Sequence, residues 1–294
     1  MLMDVWGRLR SALAGGRVDL WKRFDRQQKA ISGTMSNFYL AFDTKTRRKV
    51  GLKVLDPAKT AAFAARLKGL NKPSEGEIAA SLHHQRIVRT FEHGVAKTGE
   101  QFLVMEFLEG PGLNSLIVSR SELLDGRRLA LIRQAAEAVA AVHEAGYIHR
   151  DICPRNFMIS PGGDSLKLID FGLTVPATAP FMQSGNRTGT PDYMAPEIVR
   201  RRPTDQRLDL FALGVTAYEL CTFQLPWPSS ERTGKAALAH DTRPPVDLLE
   251  LRPQTHPALA AVIMQCLEVD PAARPQSAAE WLRRLSGIPG ENTC

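Results

Sequence analysis

A chain of 294 residues has room for one large domain or two smaller lobes, and it is too long to be a disulfide-stapled mini-protein. With 44% hydrophobic and 23% charged residues it carries enough apolar side chain to bury a core, which excludes wholesale disorder. Its 38 Lys and Arg against 31 Asp and Glu give a net charge of +7, with no basic run long enough for a nucleic-acid arm, so no nucleic-acid partner is expected.

In the first stretch, 1–29, Leu2, Val5 or Trp6, Leu9 and Leu13 recur at helical spacing, Arg8 and Arg10 lie off that stripe, and Gly15 and Gly16 end it. This predicts a basic N-terminal extension whose short helix packs onto the body of the protein. From Ala30 the texture becomes β. Asn37–Phe42 and Lys49–Leu55 read as a hairpin around the polar turn Asp43–Arg48. An alanine-rich helix is predicted from Ala58 to Lys68, and a second restarts at Lys72-Pro73-Ser74 and runs to His83, with Pro73 in its first turn. Another strand pair, Val88–Val95 and Gln101–Phe107, ends at the breaker cluster Glu109-Gly110-Pro111-Gly112. Beyond it, Leu129–Ala145, Gln206–Thr222, His256–Glu268 and Ser277–Leu285 carry apolar residues at three-to-four spacing. Strands first and helices after predict an α+β fold in two segregated parts, a domain over 30–288 divided into 30–108 and 109–288, with a tail at 289–294.

Cys153, Cys221, Cys266 and Cys294 are scattered and include no CxxC spacing, so neither a disulfide framework nor a cysteine metal site is expected. No apolar run is long enough to span a membrane and no cleavage site follows an apolar core. A reducing, cytoplasmic setting without a transmembrane segment is the expectation.

The stretch His149-Arg150-Asp151-Ile152-Cys153-Pro154-Arg155-Asn156, followed by Asp170-Phe171-Gly172 and then Ala195-Pro196-Glu197, sets the functional reading. Each triplet alone is weak; in this order and spacing they resemble the signature set of the eukaryotic-type serine/threonine protein kinase family, over a span from about Ala30 to Leu285. The resemblance implies a bilobal fold, a small antiparallel β-sheet lobe followed by a larger, mainly helical one. It also implies transfer of the γ-phosphate of Mg-ATP to a protein Ser or Thr hydroxyl. Such chemistry asks a protein to position the phosphates and the acceptor and to neutralise charge. On that pattern Asp151 accepts the proton of the incoming hydroxyl, while Asn156 and Asp170 hold Mg²⁺.

Upstream, Val50-Gly51-Leu52-Lys53 resembles the strand whose lysine contacts the phosphates, and alternation places Lys53 on the face opposite Leu52. Two acidic partners are available, Glu75 and Glu77; helical phase with Ile78, Ala79 and Leu82 favours Glu75, although Gly76 weakens that turn. Leu103–Leu108 resembles the family's hinge, which implies that Glu106 and Leu108 meet the adenine edge, that Met105 is the gatekeeper and that Gly51 and Met158 sandwich the ring. Asp209 resembles the aspartate that anchors the catalytic loop, and Glu197 with Arg274 the family's buried ion pair.

Two stretches depart from the pattern. Ile31–Phe38 aligns with GxGxxGxV but keeps only Gly33 of the three glycines; Gly33 and Phe38 are nonetheless carried over as nucleotide contacts. Cys153 stands where such kinases carry a lysine directed at the transferred phosphate, and Arg155 is expected to supply the missing charge. An inert Cys153 with a solvent-facing Arg155, or a redox-sensing Cys153, are the alternatives. Gly189–Met194 resembles the Ser/Thr substrate-docking loop, which implies that Thr190 approaches Asp151 and that the acceptor is a protein rather than a small molecule. With Arg150 present, autophosphorylation on Thr188 or Ser184 would order the loop before it. The runner-up reading is a pseudokinase or nucleotide-sensitive scaffold with weak or no phosphotransfer.

Overall fold

The computed structural model describes residues 17–27, 31–32, 35–67, 69–183, 188–227 and 236–289. They fall into two compact units, 1–83 with 88–108 and 84–87 with 109–294, each with its own core. Among the described residues no helix is long and apolar enough to cross a membrane.

The first unit is built on an antiparallel sheet of β1 (Phe24–Arg26), β2 (Ile31–Ser32), β3 (Ser36–Asp43), β4 (Arg48–Leu55), β5 (Thr90–Val95) and β6 (Gln101–Glu106). The strand order is β1-β3-β4-β6-β5, with β2 also paired to β3. Along β4 the alternation of side chains separates two faces. Val50, Leu52 and Val54 join Ala41, Phe102 and Val104 in one apolar layer, which leaves Lys53 on the other face.

Leu20 and Phe24, both inside the stretch read from the sequence as an extension, close that apolar layer and are buried. β1 then pairs with the far end of β3, Phe24 opposite Asp43. The physical reason is area: the layer of Val, Leu and Phe side chains has to be covered on its outer side, and residues ahead of the hairpin cover it. Arg23, at the end of α1 (Leu20–Arg23), fixes this entry. It donates Nε and Nη2 to Asp43 at 3.0 Å each, and Nη1 and Nη2 to Glu92 at 2.7 and 2.8 Å. The expected helix over the first residues lies outside the described residues.

α2 (Pro57–Arg66) and α3 (Glu75–Ser81) follow β4. α3 starts two residues beyond Pro73, because Ser74 is its N-cap and forms a capping box with Glu77. Pro73 therefore precedes the helix instead of standing in its first turn.

The second unit is mainly helical: α4 (Leu113–Val118), α5 (Arg128–Glu144), α6 (Pro196–Val199), α7 (Arg207–Thr222), α8 (Leu248–Leu251), α9 (Pro257–Cys266) and α10 (Ala278–Leu285). Two small strand pairs, β7 (Tyr147–Ile148) with β10 (Val175–Pro176) and β8 (Phe157–Ile159) with β9 (Leu166–Leu168), brace the loops between α5 and α6. α7 is apolar nearly all round and is buried along its length, as expected of a helix at the centre of a core.

Candidate active site

In the first unit, Lys53 Nζ lies 2.5 Å from Glu75 Oε1, and both side chains are buried. Which glutamate pairs with Lys53 follows from how α3 begins. Glu77 Oε2 accepts from the Ser74 amide and hydroxyl at 2.7 Å each, so the cap occupies Glu77 and leaves Glu75 facing the sheet. Gly76 between them permits the contact: a Cβ there would come within 2.6 Å of His93 Cβ on β5. Phe38 lies opposite Lys53 on β3, and Met105, buried on β6, lies opposite Gly51. The chain then leaves β6 at Glu106, whose carboxylate accepts from the Arg89 amide at 2.7 Å, and Leu108 is half-buried just beyond. Gly33 lies outside the described residues, and Met158 sits half-buried on β8 of the second unit.

In the second unit the loop after β7 is clamped from below by Asp209 on α7. The amides of His149 and Arg150 donate to its two oxygens at 2.8 Å each, and His143 Nε2 lies 2.9 Å from Oδ2. Burial alone would push the Asp209 carboxyl up; the hydrogen bond and charge of His143, with the His149 amide adding a further hydrogen bond, bring it below its ordinary value, so it stays ionised. Arg150, with φ of 69°, is held in the left-handed region by this clamp. Burial pushes the His149 ring toward the neutral form, and it packs edge-on against Phe171 with centroids 5.4 Å apart.

Above this clamp the polar residues converge. Asn156, in the 3₁₀ turn Pro154–Asn156, donates its amide to Asp151 O at 2.7 Å and to Asp151 Oδ2 at 3.0 Å. Thr190 donates both its backbone N–H and its hydroxyl to Asp151 Oδ1, each at 2.9 Å. Arg155 Nη2 in turn donates to the Thr190 hydroxyl at 2.9 Å. The Ile169 amide donates to Asn156 O at 2.8 Å, which sets Asp170 beside the same loop, exposed and with its Oδ1 accepting from Gly172 N at 2.9 Å. The Asn156 amide nitrogen is committed to Asp151, so what Asn156 and Asp170 could offer a cation is one amide carbonyl oxygen and one carboxylate. Two hard oxygens from neighbouring backbones fit Mg²⁺.

Cys153 is buried, its sulfur 3.8 Å from the Thr190 hydroxyl, and burial together with the Asp151 charge pushes its thiol up to about 11. A protonated, enclosed thiol is a poor redox sensor, which weighs against that alternative. Thr188 is buried, and its hydroxyl has no hydrogen-bond partner among the described residues; Ser184 lies outside them. Gly189 between Thr188 and Thr190 has φ of 124°, and a Cβ there would come 2.8 Å from Arg150 O, so the loop can fold back onto Asp151 only with glycine.

Beyond Thr190 the loop is pinned at three points. Tyr193 donates to Glu219 Oε2 at 2.5 Å, and a ring nitrogen of His240, which packs tilted against Trp227, meets Met194 O at 2.7 Å. Glu197 and Arg274 form a buried, two-pronged ion pair, 2.8 Å on each arm. His143, Glu219 and His240 escaped the sequence reading. A histidine in the last turn of a helix is ordinary favourable placement against the helix dipole, and nothing in the pattern marked the other two.

A model of the protein kinase domain matches residues 24–284. Among curated relatives, the serine/threonine-protein kinase pkn2 of Myxococcus xanthus is 34% identical over 284 residues, covering 93% of this chain and 33% of that protein. The serine/threonine-protein kinase PknL of Mycobacterium tuberculosis is 36% identical over 221 residues, covering 74% of this chain and 52% of that protein. The serine/threonine-protein kinase pkn3 of Myxococcus xanthus is 33% identical over 227 residues, covering 74% and 41% respectively. The chain thus spans about a third to a half of the length of these relatives.

Proposed function

The chain belongs to the protein kinase family, and from that premise we propose that it transfers the γ-phosphate of Mg-ATP to a Ser or Thr hydroxyl of a protein. The observation that carries this reading is the Asp151 carboxylate, oriented from three sides by Thr190 and Asn156. Its Oδ1 already accepts two hydrogen bonds while Oδ2 accepts one, from Asn156, so Oδ2 is the atom with room for a substrate hydroxyl.

In the proposed reaction Asp151 Oδ2 receives the hydroxyl proton as the acceptor oxygen attacks. Lys53, held by Glu75, grips the nucleotide phosphates. Asn156 and Asp170 would hold Mg²⁺, which when bound neutralises charge on the phosphate oxygens. Arg155, exposed and anchored on Thr190, supplies next to the acceptor the positive charge that Cys153 lacks. Met105, Glu106, Leu108 and Met158 are assigned to the adenine, and Thr188 to regulation. With its hydroxyl enclosed, Thr188 has to be exposed by movement of the loop before it can be phosphorylated.

The pairing of Lys53 with Glu75 together with the oriented Asp151 favours catalysis over a scaffold, since a protein that only binds has no need to aim a general base. The test is labelling of a generic basic protein and of the chain itself from radiolabelled Mg-ATP, for the wild type beside Lys53→Met and Asp151→Asn. Labelling by the wild type alone is expected. Equal labelling by Asp151→Asn would sink the assignment, and a melting shift on adding Mg-ATP with no turnover would replace it by the scaffold.

A further inference from the structure

The loop Gly189–Met194, which resembles the family's acceptor-docking loop, is held at its far end by a histidine that the proposed reaction does not use. His240, in the 3₁₀ turn Ala236–Asp241, is 2% exposed, and its Nδ1 lies 2.7 Å from Met194 O. A carbonyl oxygen only accepts, so Nδ1 carries a proton and donates. The ring is fixed from behind: it lies tilted against Trp227, with centroids 4.4 Å apart, and against Phe211, with centroids 5.6 Å apart. Phe211 belongs to the buried α7, and its ring stacks on that of Trp227 at 5.8 Å. Trp227 Nε1 in turn donates to Arg243 O at 2.9 Å, which ties the chain just beyond the turn to the same cluster. From α7 to Met194 there is thus a strut of three rings that ends in one directed N–H. The near end of the loop is held separately, by the two hydrogen bonds of Thr190 to Asp151.

We propose that His240 is a positioning residue for the acceptor: it seats the Met194 end of the docking loop and so sets how tightly a protein substrate is held, without itself touching the reacting atoms. This rests on the phosphotransfer reading and deepens it. Removing the Nδ1 donor takes a partner from Met194 O, and a partly enclosed carbonyl left without one favours a shifted loop in which it finds another. Acceptor binding then draws on the seated fraction alone, and the apparent affinity falls by that fraction. Saturating acceptor pulls the loop back into the seated arrangement, so the maximal rate is kept. Thr190 keeps its bonds to Asp151 at the near end, so the base stays oriented. In this arrangement the rings supply placement and the N–H supplies the hold, and substitution can separate the two.

His240→Phe keeps an aromatic ring beside Trp227 and Phe211 and removes the N–H, whereas His240→Asn gives up the ring and keeps an N–H close to the place of Nδ1. The experiment is steady-state labelling of a histone by the full chain with radiolabelled Mg-ATP, read beside hydrogen exchange of the amides over 188–199 and melting curves to confirm that each variant folds. For His240→Phe, KM for the histone is expected to rise about five- to tenfold, the range of one neutral hydrogen bond, with kcat and KM for ATP within about twofold. Its docking-loop amides should exchange faster than those of the wild type. His240→Asn should recover most of the histone KM and of the slow exchange, even though its melting point falls for want of the ring. A residue that merely packs gives the reverse order, with His240→Phe like the wild type and His240→Asn impaired, and that result would overturn the proposal. An unchanged histone KM in His240→Phe, or a kcat that falls as far as KM rises, would do the same. A wild type that labels no acceptor would remove the phosphotransfer reading and the acceptor role with it, an outcome distinct from a wild type that labels the histone while His240→Phe is indifferent.

Discussion

The hydroxyl of Thr190 is the smallest group on which the proposed catalysis can be tested. It donates to Asp151 Oδ1 and accepts from Arg155, both at 2.9 Å, and Thr190→Val removes it while keeping the shape and the backbone N–H. A hydrogen bond to a charged group contributes about 1.5–3 kcal/mol net. The Arg155 end is exposed, where water replaces the lost partner at little cost, and Asp151 is only half-buried, so the lower figure applies. A loss of about 1.5 kcal/mol in holding Asp151 toward the acceptor corresponds to roughly a tenfold fall in kcat. Steady-state kinetics with radiolabelled ATP and a peptide acceptor would read it: kcat should fall about tenfold, KM for ATP should hold, and Thr190→Ser should recover most of the rate. A Thr190→Val protein with kcat within about twofold of the wild type would show that the backbone N–H and Asn156 orient Asp151 unaided.

Three further outcomes follow from other parts of the molecule. Glu197→Gln leaves the buried Arg274 without its counter-charge, though Arg274 keeps the carbonyls of Glu268, Arg207 and Val269. The cost is about 3 kcal/mol, seen as a melting point lower by roughly 6–12 °C; an unchanged melting curve would mean those carbonyls suffice. Gly76→Ala should lower the melting point even though alanine favours a helix by about 1 kcal/mol, because its Cβ would meet His93 Cβ at 2.6 Å and overpacking costs about 1–3 kcal/mol. A raised melting point would refute the close approach of α3 to β5. In a Cys294→Ser chain at pH 8, Ellman's reagent should stay colourless until denaturant is added. Cys153, Cys221 and Cys266 are buried, and the thiols of Cys153 and Cys266 are pushed up to about 11 and about 12. Fast colour in the folded protein would count against the enclosure of Cys153.

Much of the site was legible in the chain because it depends on local periodicity. Alternation along β4 separates Lys53 from Leu52, and the structure places Leu52 in the apolar layer and Lys53 on the opposite face. Helical phase favours Glu75 over Glu77, and the capping box supplies the mechanism. The edges were less legible. Leu20 and Phe24 read as part of an extension because covering the sheet's outer layer is a demand of the far strands and leaves no mark on the residues that meet it.

Sequence alone determined the strands β3 to β6 and the longer helices, which face of β4 is apolar and where the acidic and amide residues of the loop after β7 lie along the chain, since propensity and side-chain period act over a few residues. Tertiary structure alone decided that Asp209, some sixty residues downstream of the loop it clamps, binds its amides, that Thr190 shares one carboxylate oxygen with its own N–H, that Cys153 is sealed and that Phe38 fills the space over Gly51. Each of these is a contact between groups distant in sequence. Its existence depends on how well whole elements pack, and no window along the chain contains that information.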